Sequence, residues 1–185
     1  MVLYKVLVNI IMLMTTMSKI YTIPQAKHSS GFHFRPHLQQ KFLQYNIKFD
    51  KSSIYQFHTE DQYDINKLFG LSYGMHHTNS VRFGWRSLGT YSSKIEILAY
   101  CYVDGKRIVE GSNNLYIAMI DLNKFYTFRI NVGENCYKLS IFDNMFNVGS
   151  VEIPHNYLPF WGYHLYPYFG GNRNAPHDIN IIFEN

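Results

Sequence analysis

The stretch Lys94-Ile-Glu-Ile-Leu-Ala-Tyr-Cys-Tyr-Val103, followed at once by Asp104-Gly105, decides the fold class. Ile95, Ile97, Ala99, Cys101 and Val103 fall on one face, and Glu96, Leu98, Tyr100 and Tyr102 on the other. A period of two marks a half-buried strand. Asp-Gly tolerates the positive φ angles of a two-residue hairpin turn. The sequence therefore predicts a strand over 94–103 that folds back into 106–110. Upstream, Ser80-Val-Arg-Phe-Gly-Trp-Arg86 alternates in the same way, with Val81, Phe83 and Trp85 opposite Arg82, Gly84 and Arg86. Downstream, 125–132 and 136–142 flank Gly133-Glu-Asn135 as a second hairpin. Further strands are expected over 45–50, 53–58, 148–153, 163–168 and 178–183. One short helix is expected over 61–71, with Asp61 as N-cap and Gly70 as terminator. Roughly eight to eleven short strands joined by turns predict an all-β, antiparallel β-sandwich or jelly roll. The regular helices that a parallel α/β sheet needs are missing.

The chain has 185 residues, enough for one domain with a sizeable core, and 45–185 is read as that domain. Tyr (16) and Phe (14) are abundant and suit pleated, half-buried surfaces. The net charge of +4 comes from scattered Lys and Arg, without the concentrated basic footprint of a nucleic-acid binder. Residues 1–22 read as a secretory signal, with Lys5 as the positive n-region and an apolar run from Val6 to Met17. That run is too short to span a bilayer comfortably, and no other segment approaches transmembrane length. Residues 23–44 read as a loose lead-in. Cys101 and Cys136 read as two separate thiols, Cys101 as a small hydrophobe on an apolar strand face.

No motif fixes a reaction. Gly70-Leu-Ser72-Tyr-Gly74 matches the nucleophile-elbow pattern, but that pattern has meaning only on a strand–turn–helix of an α/β sheet. No pair among Glu96, Glu110, Glu152, Asp104 and Asp143 is singled out for glycosidase chemistry. No cofactor is expected beyond a structural calcium held by Asp178 and loop carbonyls. The polar sheet face is more telling. Arg82 and Arg86 point the same way, with Gly84 opening space between them. Tyr100 and Tyr102 share a face, as do His164, Tyr166 and Tyr168 on theirs. If these faces coincide, they make a candidate ligand strip, with His77 and Asn79 in the preceding loop and Asn172 and His177 in the last loop. Aromatic rings stack on the apolar face of a sugar, and Arg, Asn and His bond its hydroxyls or carboxylates.

The strand rhythm, Asn66-Lys-Leu-Phe-Gly70, Ser80-Val-Arg-Phe-Gly-Trp-Arg86 and Tyr166-Pro-Tyr-Phe-Gly-Gly-Asn172 together resemble small secreted bacterial β-sandwich proteins of the concanavalin A-like or jelly-roll type. The likeness covers about residues 45–185. Lectins, carbohydrate-binding modules and alginate-type lyases share that architecture. The Tyr-x-Lys-Ala-Gly element of the lyases is absent here. The resemblance implies an exported protein whose partner is a glycan or polysaccharide. The alternatives are a polysaccharide-active enzyme, lyase or glycosidase, on the same surface, or a structural or adhesive protein.

Overall fold

The computed structural model describes residues 18 to 109 and 115 to 184. Among them are thirteen strands: β1 (Ser18–Ile23), β2 (Pro36–Leu38), β3 (Phe42–Phe49), β4 (Asn66–Ser72), β5 (Ser80–Ser87), β6 (Lys94–Val103), β7 (Lys106–Ile108), β8 (Tyr116–Asp121), β9 (Tyr126–Val132), β10 (Cys136–Asp143), β11 (Phe146–Pro154), β12 (Trp161–Leu165) and β13 (Ile179–Glu184). One sheet runs β1-β13-β3-β9-β10-β11, the other β2-β12-β4-β5-β6-β7, with β8 also paired to β6. Neighbouring strands are antiparallel throughout. The architecture is a jelly-roll β-sandwich.

The alternation of β5 and β6 becomes a division between core and surface. The two strands pair in unbroken register from Ser80↔Tyr102 to Ser87↔Ile95. Val81, Phe83, Trp85, Ile95, Ile97, Ala99 and Cys101 all enter the core. Phe83 meets Phe128 of β9 edge-to-face at 5.0 Å, and Trp85 meets Phe49 of β3 at 5.3 Å, so the two sheets are joined by aromatic contacts. Each such side chain contributes on the order of 1.5–3 kcal/mol by burial. Asp104 and Gly105 take φ of 50° and 77°, the left-handed pair of a type I′ turn between β6 and β7.

The segment 61–71 is not a helix. A single 3-10 turn, Glu60–Tyr63, leads directly into β4. Leu68, Phe69 and Leu71 are buried, and β4 lies between β5 and β12, so ladder pairing and burial override the local helix signals. Lys67 pairs with Gly84, yet Gly70 pairs with Arg82, so β4 carries one extra residue. This bulge buries both Leu68 and Phe69 while Lys67 and Gly70 stay on the Arg82 side.

Residues 53–58 form no strand. A 3-10 turn over Lys51–Ser53, capped by Asp50 (Oδ1 accepts the Ser52 N–H at 2.8 Å), precedes an irregular link. Residues 23–44 are not loose. They contain β2 and the start of β3, and the Phe169 N–H donates to the His28 carbonyl at 2.6 Å and the Ala26 N–H to Ala175 at 2.8 Å. The expected leader lies outside the described residues up to residue 17. Residues 18–22 belong to β1, paired with β13, so a boundary at residue 22 would divide this strand. The end of the strand expected over 106–110 falls at Glu110, outside the described residues. Among the described residues no helix is long and apolar enough to cross a membrane.

Candidate functional site

The outer face of β5 and β6 carries a cleft of about 390 Å³. Its floor is Arg82 on β5, Lys67 on β4 and Tyr100 and Tyr102 on β6. His76 and His77 come from the β4–β5 loop, Tyr168 and Asn172 from the β12–β13 connection. A second basin of about 420 Å³ shares His76, Arg82 and Tyr168 with the first and continues towards Phe32, Phe34 and Tyr163.

Arg82 is the centre of this arrangement. It is only 9% exposed, and Nη2 donates to the Tyr166 carbonyl at 2.7 Å. Nε is buried with no partner, and no carboxylate among the described residues forms an ion pair with Arg82. Burial pushes its pKa down to about 10, with Tyr100 and Tyr163 opposing, so it is a cation at neutral pH. Lys67 lies alongside. Its Nζ donates to the Gly170 carbonyl at 2.7 Å and sits 5.0 Å from the Tyr100 ring and 5.6 Å from Tyr168. Burial first, then the charges of Arg82 and Arg107, lower its pKa to about 8, while Asp64 acts weakly the other way. The Arg107 guanidinium covers the Tyr100 ring at 4.7 Å. Three cations thus surround tyrosine rings, and burial leaves Arg82 and Lys67 under-compensated, as in a site for an anion.

The histidines are held by the loop beneath them. The Tyr73 N–H donates to the Asn79 carbonyl (2.8 Å), and the Ser80 hydroxyl donates to the His76 carbonyl (2.7 Å). The ring of His76 meets the Tyr163 hydroxyl through Nδ1 at 2.6 Å, and His77 packs on Tyr102 at 5.3 Å. Burial, then His77 and Arg82, lower the His76 pKa, so its imidazole is neutral at pH 7.

His77, Arg82, Tyr100, Tyr102, Tyr168 and Asn172 meet in the cleft. Six other candidates do not. Asn79 is buried, and its Oδ1 accepts the Asp104 N–H at 3.0 Å, tying the β4–β5 loop to the β6–β7 hairpin. Arg86 is separated from Arg82. The Ile65 Cγ2 methyl stands 2.4 Å from where a Gly84 Cβ would be, so the glycine admits Ile65 rather than a ligand. Arg86 bonds to Glu96 and to the Tyr63 carbonyl. His177 contacts the Ser52 carbonyl at 2.8 Å through Nε2, and Asp178 accepts the Gln25 N–H at 2.7 Å. Asp178 is exposed, and no group of three or more His, Cys, Asp or Glu side chains converges among the described residues. Tyr166 gives the cleft its carbonyl, while its ring packs on Tyr21 (5.8 Å) and His33 (4.8 Å). His164 also leaves the cleft. Strand β12 ends at Leu165, just before Pro167, and His164 is buried against Gln40 at 2.8 Å.

Ser72 is structural. Its hydroxyl accepts the Tyr163 N–H at 3.0 Å and lies 3.1 Å from the Tyr163 carbonyl, joining β4 to β12. Cys101 and Cys136 are free thiols, and burial pushes Cys101 up to about 12. Of the carboxylates, Glu96 is spent on Arg86, Asp143 pairs with Lys124, and Glu152 pairs with Lys138 at 2.6 Å. Asp104 accepts from the Asn156 amide at 2.6 Å, and Glu110 lies outside the described residues. Lys67 and Arg107 were missed. The signal for Arg107 was the Asp104-Gly105 turn, which sets it opposite Tyr102.

No family model matches the chain, and no curated protein matches it. Among solved structures it is similar to an alginate lyase from Klebsiella pneumoniae, at 9% identity and a TM-score of 0.56. The match covers 77% of this chain and 56% of that one, so the chain spans little more than half the lyase. It is also similar to a functionally unknown protein from Saccharomyces cerevisiae, at 8% identity and a TM-score of 0.57, covering 91% and 85%. A third similar structure is a polysaccharide lyase of family 18, at 7% identity and a TM-score of 0.50, covering 94% and 87%. At these identities the likeness is one of fold.

Proposed function

We propose that the cleft binds an acidic glycan, with a uronate carboxylate held by Arg82 and Lys67 and sugar rings against Tyr100, Tyr102 and Tyr168. The single observation that carries this is Arg82, a cation that is nine-tenths buried yet unpaired with any described carboxylate. Burying a charge without a counterion is costly, and an arriving carboxylate offsets that cost. The planar guanidinium suits two-point contact with a carboxylate, and the rings suit the C–H faces of a pyranose. The architecture shared with the lyases is in keeping with such a ligand. Polyuronates are extracellular polymers, so we place the domain outside the cell, with any leader ending before Ser18.

Affinity electrophoresis through gels containing alginate or polygalacturonate tests this. Retardation by an acidic polymer is expected, with loss in Arg82→Met. Equal migration of wild type and Arg82→Met in every acidic gel would overturn it.

One contact favours a second reading. His76 Nδ1 is 2.6 Å from the Tyr163 hydroxyl, and both line the basin that Arg82 floors. These are the types needed for β-elimination. A base takes the C5 proton of a uronate whose carboxylate is neutralised, the C4–O bond breaks, and an acid protonates the departing oxygen. The products are a C4–C5 unsaturated uronate and a free sugar hydroxyl. Incubation with polyuronates, followed by ultraviolet absorbance of the new double bond, decides between binding and cleavage. Tyr163→Phe should abolish product while retaining retardation in the gel.

A further inference from the structure

A different part of the sandwich holds a cavity of about 630 Å³, larger than either basin of the cleft and sharing no lining residue with them. Three connections enclose it: the β2–β3 link, the β9–β10 hairpin at Gly133–Asn135, and the β11–β12 link from His155. They are fixed to one another. The Val132 N–H donates to the Lys41 carbonyl (2.8 Å), the His155 N–H to Asn135 (2.9 Å), and the Gln39 N–H to Phe160 (2.9 Å). Gln39 stands at φ 44°, a conformation costly for a residue with a Cβ and maintained here by its surroundings. The Tyr73 hydroxyl, at the inner wall, donates to the Gln40 carbonyl.

The chemistry of the lining differs from that of the cleft. Lys41 and Glu134 carry opposite charges, so the cavity has none of the excess cation seen around Arg82. Gln39 and Asn135 present amides that bond no described side chain. Asn156 gives one amide N–H to Asp104, at 2.6 Å, leaving its other N–H and its carbonyl oxygen. An amide offers a donor and an acceptor together, which matches a sugar hydroxyl that is both. Tyr157 stands 81% exposed at the rim, a free aromatic face for the C–H side of a ring. Val132, Pro154 and Leu158 supply apolar wall.

We propose that this cavity is a second ligand site, for a short neutral oligosaccharide. The protein then reads two chemistries at separate places, charge at the cleft and hydroxyl pattern at the loops.

Titrations of ¹⁵N-labelled full chain with millimolar cellotriose, xylotriose and mannotriose test this by amide shifts. At least one trisaccharide is expected to move the amides of Gly133, Asn135, Asn156 and Tyr157. The double variant Tyr157→Ala/Asn135→Ala should weaken that response about tenfold or more, the loss of one stacked ring and one hydrogen bond. Arg82→Met should leave it intact, which separates this site from the cleft. Both positions in the double variant are exposed, and its dispersed spectrum would verify folding. Three trisaccharides that move none of these amides, or shifts confined to cleft amides such as Gly170 and Asn172, would overturn the proposal.

Discussion

Raising the pH should release an acidic glycan from the cleft through Lys67. Its pKa is lowered by burial to about 8, so the ammonium is present below that pH and lost above it. Such a group is about nine-tenths protonated at pH 7 and about one-tenth at pH 9. If a carboxylate is held only by the charged form, affinity falls about tenfold across that interval, equivalent to about 1.4 kcal/mol. Of its neighbours, Arg82, lowered by burial to about 10, titrates about two pH units higher, burial raises the phenol of Tyr100, and burial moves His76 down, away from this interval. The assay is isothermal titration with a trigalacturonate at fixed ionic strength from pH 6.5 to 9.5, since screening alone changes such contacts. Lys67→Arg keeps its charge throughout and should flatten the profile. Lys67→Met should flatten it too, at lower affinity. A wild-type profile that stays level, or a Lys67→Met profile that keeps the full fall, would refute the reasoning.

Arg82→Met should leave the thermal midpoint unchanged or raise it, because replacing a desolvated, unpaired cation by an apolar side chain is often neutral or stabilising. The same variant should weaken binding about tenfold or more, the worth of a charge-assisted bond, so a fall in midpoint with intact binding would argue that Arg82 is structural. In Gly162→Ala the new Cβ would lie 1.8 Å from the Ser72 carbonyl oxygen, forcing β12 off β4. Overpacking of this kind costs about 1–3 kcal/mol, read as a lower midpoint in urea. His164 is buried, and desolvation, with Arg35 and His37 adding, lowers its pKa to about 4. Its contribution to stability is full above the unfolded value of about 6.5 and is lost as the pH falls towards about 4, roughly 3 kcal/mol in all. His164→Gln should remove that share of the acid sensitivity measured by urea melts. Deleting residues 18–22 should strip β1 from β13 and expose that edge, seen as a lower thermal midpoint and a tendency to self-associate.

The strands that were legible in the sequence are those whose two faces meet different surroundings. β5 and β6 show alternation because Val81, Phe83 and Trp85 meet the core while Arg82 and Tyr100 meet the cleft. β4 was misread because both its faces are covered and its bulge breaks the period of two, so nothing in its sequence distinguished a buried strand from a short helix. β1 and β2 carry exposed edges and weak patterns, and in β8 the consecutive buried residues Ile117 and Ala118 break the alternation.

The sequence by itself determined the antiparallel sandwich, the type I′ turn at Asp104-Gly105 and the strand face on which each of Arg82, Tyr100 and Tyr102 lies, because strand periodicity and turn stereochemistry are local. Only the tertiary structure decided which polar groups became a site. Ile65 over Gly84 parted Arg86 from Arg82, the bulge in β4 delivered Lys67, and the end of β12 sent His164 and the Tyr166 ring away from the cleft. Those outcomes depend on contacts between residues far apart in the chain, where packing and pairing overrule any pattern a single strand can display.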